Sequence, residues 1–145
     1  MGRLVKNGAL AGIAGGIVFG ALMAMMGMLP MIARLAGSSS SAVGMLLHLV
    51  ISAVIGAGFA LLLGRFLTGM GQSLVAGIIY GMFWWFLGPL TLMPLMMEMG
   101  TQWNTAAMAK QMPSLMGHMI YGAVLGLTFV WLSRRGQAPV EPRHA

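Results

Sequence analysis

The 145-residue chain lacks cysteine and aspartate, and only 7% of its residues are charged. The absence of cysteine excludes disulfide bonds and thiolate metal sites. The two carboxylates, Glu98 and Glu141, fall on opposite sides of the predicted membrane span, and no aspartate is present to complete a catalytic triad. The missing carboxylate pair and triad favour a protein that is not an enzyme. Soluble domains carry about 25% charged residues, so this composition excludes an ordinary soluble domain.

Apolar residues and small residues dominate what remains. The chain is 59% hydrophobic, with 22 glycines and 17 methionines, and long uncharged runs separate its few charges. A membrane-spanning helix needs roughly 20 apolar residues. We predict an all-α membrane protein with four transmembrane helices, near residues 8–33, 42–64, 73–97 and 113–132. Pro89 and Pro94 interrupt the third helix and should free the carbonyls of Trp85 and Leu90.

The basic residues predict the orientation of the chain. Lysine and arginine are enriched on the cytoplasmic side of membrane helices. Six fall on one predicted side and two on the other; the six are Arg3, Lys6, Arg65, Arg134, Arg135 and Arg143, and the two are Arg34 and Lys110. This distribution predicts a multi-pass membrane protein with both termini cytoplasmic. The scattered positions do not form the dense basic patch of a nucleic-acid-binding protein.

The second half of the sequence repeats the first. A shift of 70 residues aligns seven identities among the 18 pairs that start with His48 and His118 and end with Arg65 and Arg135. A shift of 65 aligns Gly12 with Gly77 and Gly16 with Gly81. We therefore predict one domain, residues 1–135, built from two tandem helical hairpins at about 8–65 and 73–135. A pseudo-two-fold axis along the membrane normal should relate them. Residues 136–145 are predicted to be a disordered cytoplasmic tail.

Small residues at helical spacing predict the packing faces. Lipid is as apolar as leucine, so membrane helices associate through close approach at small side chains. The predicted packing positions are Gly8, Gly12, Gly16, Gly20, Ser52, Gly56, Gly77, Gly81, Gly122 and Gly126.

Two histidines share this small-residue face. Steps of four lead from His48 to Ser52 and Gly56, and from His118 to Gly122 and Gly126. A buried imidazole inside a membrane bundle is either a structural group, bonded to a backbone carbonyl or to Ser52, or a functional one that binds a ligand or a proton. The sequence leaves both readings open.

Methionines gather near the histidines, because 14 of the 17 fall in the predicted outer half or outer loops. Thioether and imidazole groups suit soft metals, Cu(I) above all, although methionine is also a flexible packing residue. The candidate ligands are His48, His118, Met28, Met31, Met45, Met96 and Met99.

Three functions remain open at this stage. The leading one is a non-enzymatic scaffold, a partner subunit or a small-solute handler, with the lipid bilayer and a second membrane protein or copy of itself as partners and with no cofactor. The alternative is Cu(I) binding or transport. A more distant alternative is a haem held between His48 and His118 in an electron carrier.

The segments GALAGIAGG, MMGMLPM, HLVISAVIGAGFALLLGR and SLMGHMIYGAVLGL run through most of the chain. In these segments the chain resembles uncharacterised families of small bacterial four-helix membrane proteins with an internal two-helix repeat. The resemblance implies an inner-membrane location and no activity.

Overall fold

Four long apolar helices form the protein. The structure, a computed structural model, describes residues 1–135. The predicted tail lies outside the described residues. Four helical segments are long and apolar enough to cross a membrane: Gly2–Met25, Ser41–Leu63, Met70–Met96 and Met112–Arg135. This confirms the prediction of four apolar helices. In chain order the α-helices are α1 (Gly2–Met25), α2 (Leu29–Ala33), α3 (Ser41–Leu63), α4 (Met70–Leu87), α5 (Met93–Met96), α6 (Thr105–Lys110) and α7 (Met112–Arg135).

The first helix differs from its prediction at both ends. It spans Gly2–Met25, whereas residues 8–33 were expected. Gly27 adopts a left-handed conformation, φ +66°, and the Met28 amide donates to the Met23 carbonyl at 2.9 Å. This glycine-terminated cap ends α1, and Pro30 then lies in the first turn of α2. The ends of the other three predicted helices agree within three residues.

The third spanning helix changes its winding at the predicted proline break. Residues Gly88–Leu92 form a π-helical turn between α4 and α5. The Thr91 hydroxyl donates to the Phe86 carbonyl at 2.8 Å, and the Leu90 carbonyl accepts from the Gln102 amide at 2.8 Å. The Leu90 carbonyl is therefore paired and is not a free ligand.

Glycines bring α1 against α3 and α4 against α7. A Cβ added at Gly12 would collide with the Ser52 carbonyl oxygen, and one added at Gly77 would collide with the Gly122 carbonyl oxygen. These two contacts involve positions that the sequence repeat equates.

A second pair of contacts also involves positions that the sequence repeat aligns. A Cβ at Gly56 would collide with the Gly8 carbonyl, and a Cβ at Gly126 would collide with the Ser73 carbonyl. In both places only a glycine allows the backbones to approach so closely.

The two interfaces between the first and second hairpins, α1 with α7 and α3 with α4, differ from each other. Gly15 lets α1 approach α7, since an added Cβ would lie 2.8 Å from the Tyr121 carbonyl oxygen. The repeat places Tyr80 where α1 has Gly15. Tyr80 stands between α4 and α3, with its hydroxyl donating to the Ile55 carbonyl at 3.0 Å and its ring 5.2 Å from that of Phe59. A large side chain therefore separates α3 from α4, whereas α1 and α7 touch.

Candidate functional site

A cavity of about 290 Å³ lies between the four spanning helices. It occupies the half of the bundle in which α1 ends and α3 begins, which we call the methionine-rich end. Its walls come from α1 and α2, α3, the α4–π turn–α5 segment and α7. Most of its lining side chains are apolar, and five are the methionines Met23, Met28, Met31, Met93 and Met96.

The most exposed lining residues lie on α3 and on the π turn–α5 segment that continues α4, and they place the opening of the cavity between these two elements. Ile51 on α3 lines the cavity and is 40% exposed, and Leu92 and Met96 line the facing wall and are 44% and 67% exposed. This opening lies beyond Tyr80, which fills the gap between α3 and α4 nearer their other ends. In a membrane such an opening faces the lipid chains rather than water.

His48 is fixed by a backbone carbonyl of the neighbouring helix. Its Nε2 lies 3.1 Å from the Gly16 carbonyl oxygen in a buried setting. A carbonyl can only accept, so Nε2 carries the proton and donates it. The other ring nitrogen, Nδ1, then has a free lone pair.

His118 is fixed in the same manner within its own helix. Its Nδ1 lies 2.8 Å from the Ser114 carbonyl oxygen, so Nδ1–H donates and Nε2 keeps a lone pair. The Phe19 ring packs edge-on against both imidazoles, with centroid distances of 5.3 Å to His48 and 4.8 Å to His118. Both histidines line the cavity.

The polar side chains of Tyr121 and Trp84 also belong to the cavity wall. The Tyr121 hydroxyl donates to the Ser52 carbonyl at 2.8 Å and ties α7 to α3. The Trp84 Nε1–H is buried and has no hydrogen-bond partner. An indole N–H can only donate, so Trp84 offers an unused proton to a ligand acceptor.

The structure brings together some of the predicted metal ligands and not others. His48, His118, Met28, Met31 and Met96 line the cavity. Met45 and Met99 are not among its lining residues.

The two excluded methionines lie elsewhere for different reasons. The Met45 sulfur sits against Gly20, where an added Cβ would be 2.7 Å away, and Met99 is 62% exposed. Sequence reasoning missed Met23 and Met93 as lining residues. Met23 follows Gly20 by three residues and so continues the small-residue face of α1, a signal that was available. No spacing rule could place Met93, because it follows the π turn.

The glycine positions also differ in what they face. Seven of the predicted packing glycines face backbone atoms of a neighbouring helix: Gly8, Gly12, Gly56, Gly77, Gly81, Gly122 and Gly126. Gly16 instead faces the Ser52 side chain, and Gly20 faces Met45.

The donor set limits the chemistry of the cavity. Among residues 1–135, no group of three or more His, Cys, Asp or Glu side chains is placed to hold a metal. Hard divalent cations prefer oxygen ligands, and the cavity offers thioethers and imidazoles instead. A haem clasped by both histidines would have to replace the Phe19 ring in its contacts with them.

Comparisons with protein-family models, with curated proteins and with solved structures return no match.

Proposed function

We propose that the chain is a multi-pass protein of the bacterial inner membrane that binds a small apolar solute and catalyses no reaction. One observation carries this proposal, namely the apolar cavity that opens between helices long and apolar enough to cross a membrane. Its volume of about 290 Å³ lies near the lower end of ligand-binding cavities, about 300–1,000 Å³. A solute dissolved among the lipid chains would reach it without crossing water.

The repeat supports a pseudo-two-fold arrangement of two tandem hairpins. Gly12 on Ser52 corresponds to Gly77 on Gly122, as the shifts of 65 and 70 residues require. The exchange of Gly15 for Tyr80 breaks this symmetry at a single interface. One large cavity on one side of the bundle, rather than two small ones, is the expected consequence.

A non-catalytic role fits the polar groups of the wall. The N–H groups of both histidines and the Tyr121 hydroxyl are committed to backbone carbonyls. No carboxylate lines the cavity, so an acid–base pair is missing there. A scaffold or partner-subunit role would need no cavity, which makes ligand binding the distinguishing test.

Orientation gives the first prediction. Because lysine and arginine count six to two across the predicted sides, both termini should be cytoplasmic. A topology reporter fused after Arg135 is expected to report the cytoplasm, and one inserted near Ser40 the opposite side. An external signal from the Arg135 fusion would overturn this orientation.

Cavity binding gives the second prediction. Small brominated alkanes quench an indole that they contact, and Trp84 lines the cavity. We expect 1-bromohexane to quench the tryptophan fluorescence of the detergent-solubilised protein with a saturable component. Ile51→Phe should remove most of that component, because the larger ring would fill the opening between α3 and α4.

Val54→Phe is the matched control. Val54 lies three residues further along α3, is 67% exposed and does not line the cavity. It should leave the saturable component intact. Equal quenching in the two variants would place the probe in the micelle and contradict the proposed function.

A further inference from the structure

We infer that the methionine-lined cavity holds one Cu(I) ion, with Nδ1 of His48 and Nε2 of His118 as its nitrogen ligands. The inference uses the same cavity as the proposed function. It depends on the ring nitrogens and sulfurs of the wall rather than on the size or the opening of the cavity, so either idea can fail without the other.

The hydrogen bonds that hold the two rings in the structure are also of the kind that metal-binding histidines make. A metal-binding histidine commonly donates its other N–H to a backbone carbonyl or a carboxylate, which sets the tautomer and the ring direction. His48 does this through Gly16 and His118 through Ser114, at 3.1 and 2.8 Å. Both lone pairs are consequently ready to bind without the loss of a proton.

The positions of the two rings are coupled by one side chain. Phe19 is 4% exposed and packs edge-on against both imidazoles. The ring centres can therefore be no further apart than about 10 Å, the sum of the two centroid distances of 5.3 and 4.8 Å. Both rings line the same cavity within this distance, so a shift of the two side chains around Phe19 would bring the free nitrogens to one ion.

Methionine sulfurs complete a ligand set without charge. Met23 is 4% exposed and lies one turn beyond Phe19 on α1, and Met93 packs against the same core from α5. Both line the cavity. Soft thioethers with imidazoles select Cu(I).

The absence of a lining carboxylate argues against a divalent ion. The cost of burying an ion in a low-dielectric site rises with the square of its charge, so a divalent ion would cost about fourfold more than a monovalent one. With no anionic ligand in the wall to offset that cost, Zn(II) and Mg(II) are disfavoured relative to Cu(I).

Cu(I) competition with bathocuproine disulfonate, under reducing and oxygen-free conditions, tests the inference on the full chain in detergent. The parent protein should take one equivalent of Cu(I) from the chelator. The His48→Ala, His118→Ala double variant should bind at least about 100-fold more weakly, since even supporting groups of metal sites contribute 10–100-fold.

A second double variant tests the sulfur ligands and does not depend on correct folding of the double-histidine variant. Met23→Leu with Met93→Leu nearly preserves side-chain volume and keeps both histidine hydrogen bonds. It should weaken Cu(I) binding at least about tenfold. Met25→Leu is the control, because Met25 is 84% exposed and does not line the cavity. It should bind as the parent does.

X-ray absorption of the loaded parent should show both nitrogen and sulfur neighbours of copper. No binding by the parent, or unchanged binding in both the double-histidine and the double-methionine variants, overturns the inference. Saturable bromohexane quenching that survives such a result leaves the apolar-solute proposal standing. Copper binding without saturable quenching removes that proposal alone.

Discussion

Gly12→Ala is expected to destabilise the bundle by about 3 kcal/mol or more. Inserting even one methyl group into a well-packed interior costs about 1–3 kcal/mol, and more where nothing can move aside. The added Cβ would collide with the Ser52 carbonyl oxygen and lie 2.9 Å from the Gly56 Cα. Both are backbone atoms of α3, so relief requires the two helices to separate.

Gly71→Ala provides the matched control for this variant. Gly71 also lies in a spanning helix, but nothing lies within 4 Å of a Cβ placed there. Alanine exceeds glycine in helix propensity by about 1 kcal/mol, so this variant should be as stable as the parent or slightly more stable. Thermal unfolding in detergent, followed by circular dichroism, measures both. Equal melting temperatures for the two variants would contradict close packing at Gly12.

Phe19→Ala should cost about 3–5 kcal/mol, the range for removing a buried phenylalanine ring. The ring is 4% exposed, touches both histidines and rests on Gly117, where a Cβ would collide with it. Its loss joins the space it occupied to the cavity and removes the contact that couples the two imidazoles. Phe83→Ala, at a ring that is 55% exposed on α4, should change stability far less.

A double-mutant cycle isolates the contact between Phe19 and Gly117. Gly117→Ala should be strongly destabilising in the parent and much less so when Phe19 is already alanine, because the ring that it would strike is gone. Coupling between such neighbours reaches about 0.5–3 kcal/mol. Additive losses in the same unfolding assay would show that α1 and α7 do not meet at this pair.

The sequence was sufficient to locate the four spanning helices but not to place the ends of α1. Charge spacing located four apolar helices because each charge is costly inside a bilayer. It overran the end of α1, where a left-handed Gly27 and Pro30 stop the helix inside a continuous apolar run. Hydropathy does not register such a break, although the glycine and proline were visible.

Some of the residues that line the cavity could be predicted from the sequence. The others could not, because local helix geometry decides where their side chains point. His48 and His118 line one cavity, two residues that the repeat had singled out. Met45 lies one turn before His48 on α3, but its side chain is turned toward Gly20. Met93 lines the cavity just after the π turn. A π turn changes the direction in which later side chains point, so a projection at 3.6 residues per turn placed Met96 in the cavity but missed Met93.

The unequal interfaces also fix the order in which the protein can be assembled during synthesis. The glycine contacts of α1 with α3 join helices adjacent in the sequence, so this hairpin can pack once both are inserted. The Gly15 and Phe19 contacts require α7, the last of the described helices to leave the ribosome. Because α7 contributes Ser114, His118 and Tyr121 to the lining, the cavity forms only after α7 has been inserted, and a chain truncated before α7 would lack it.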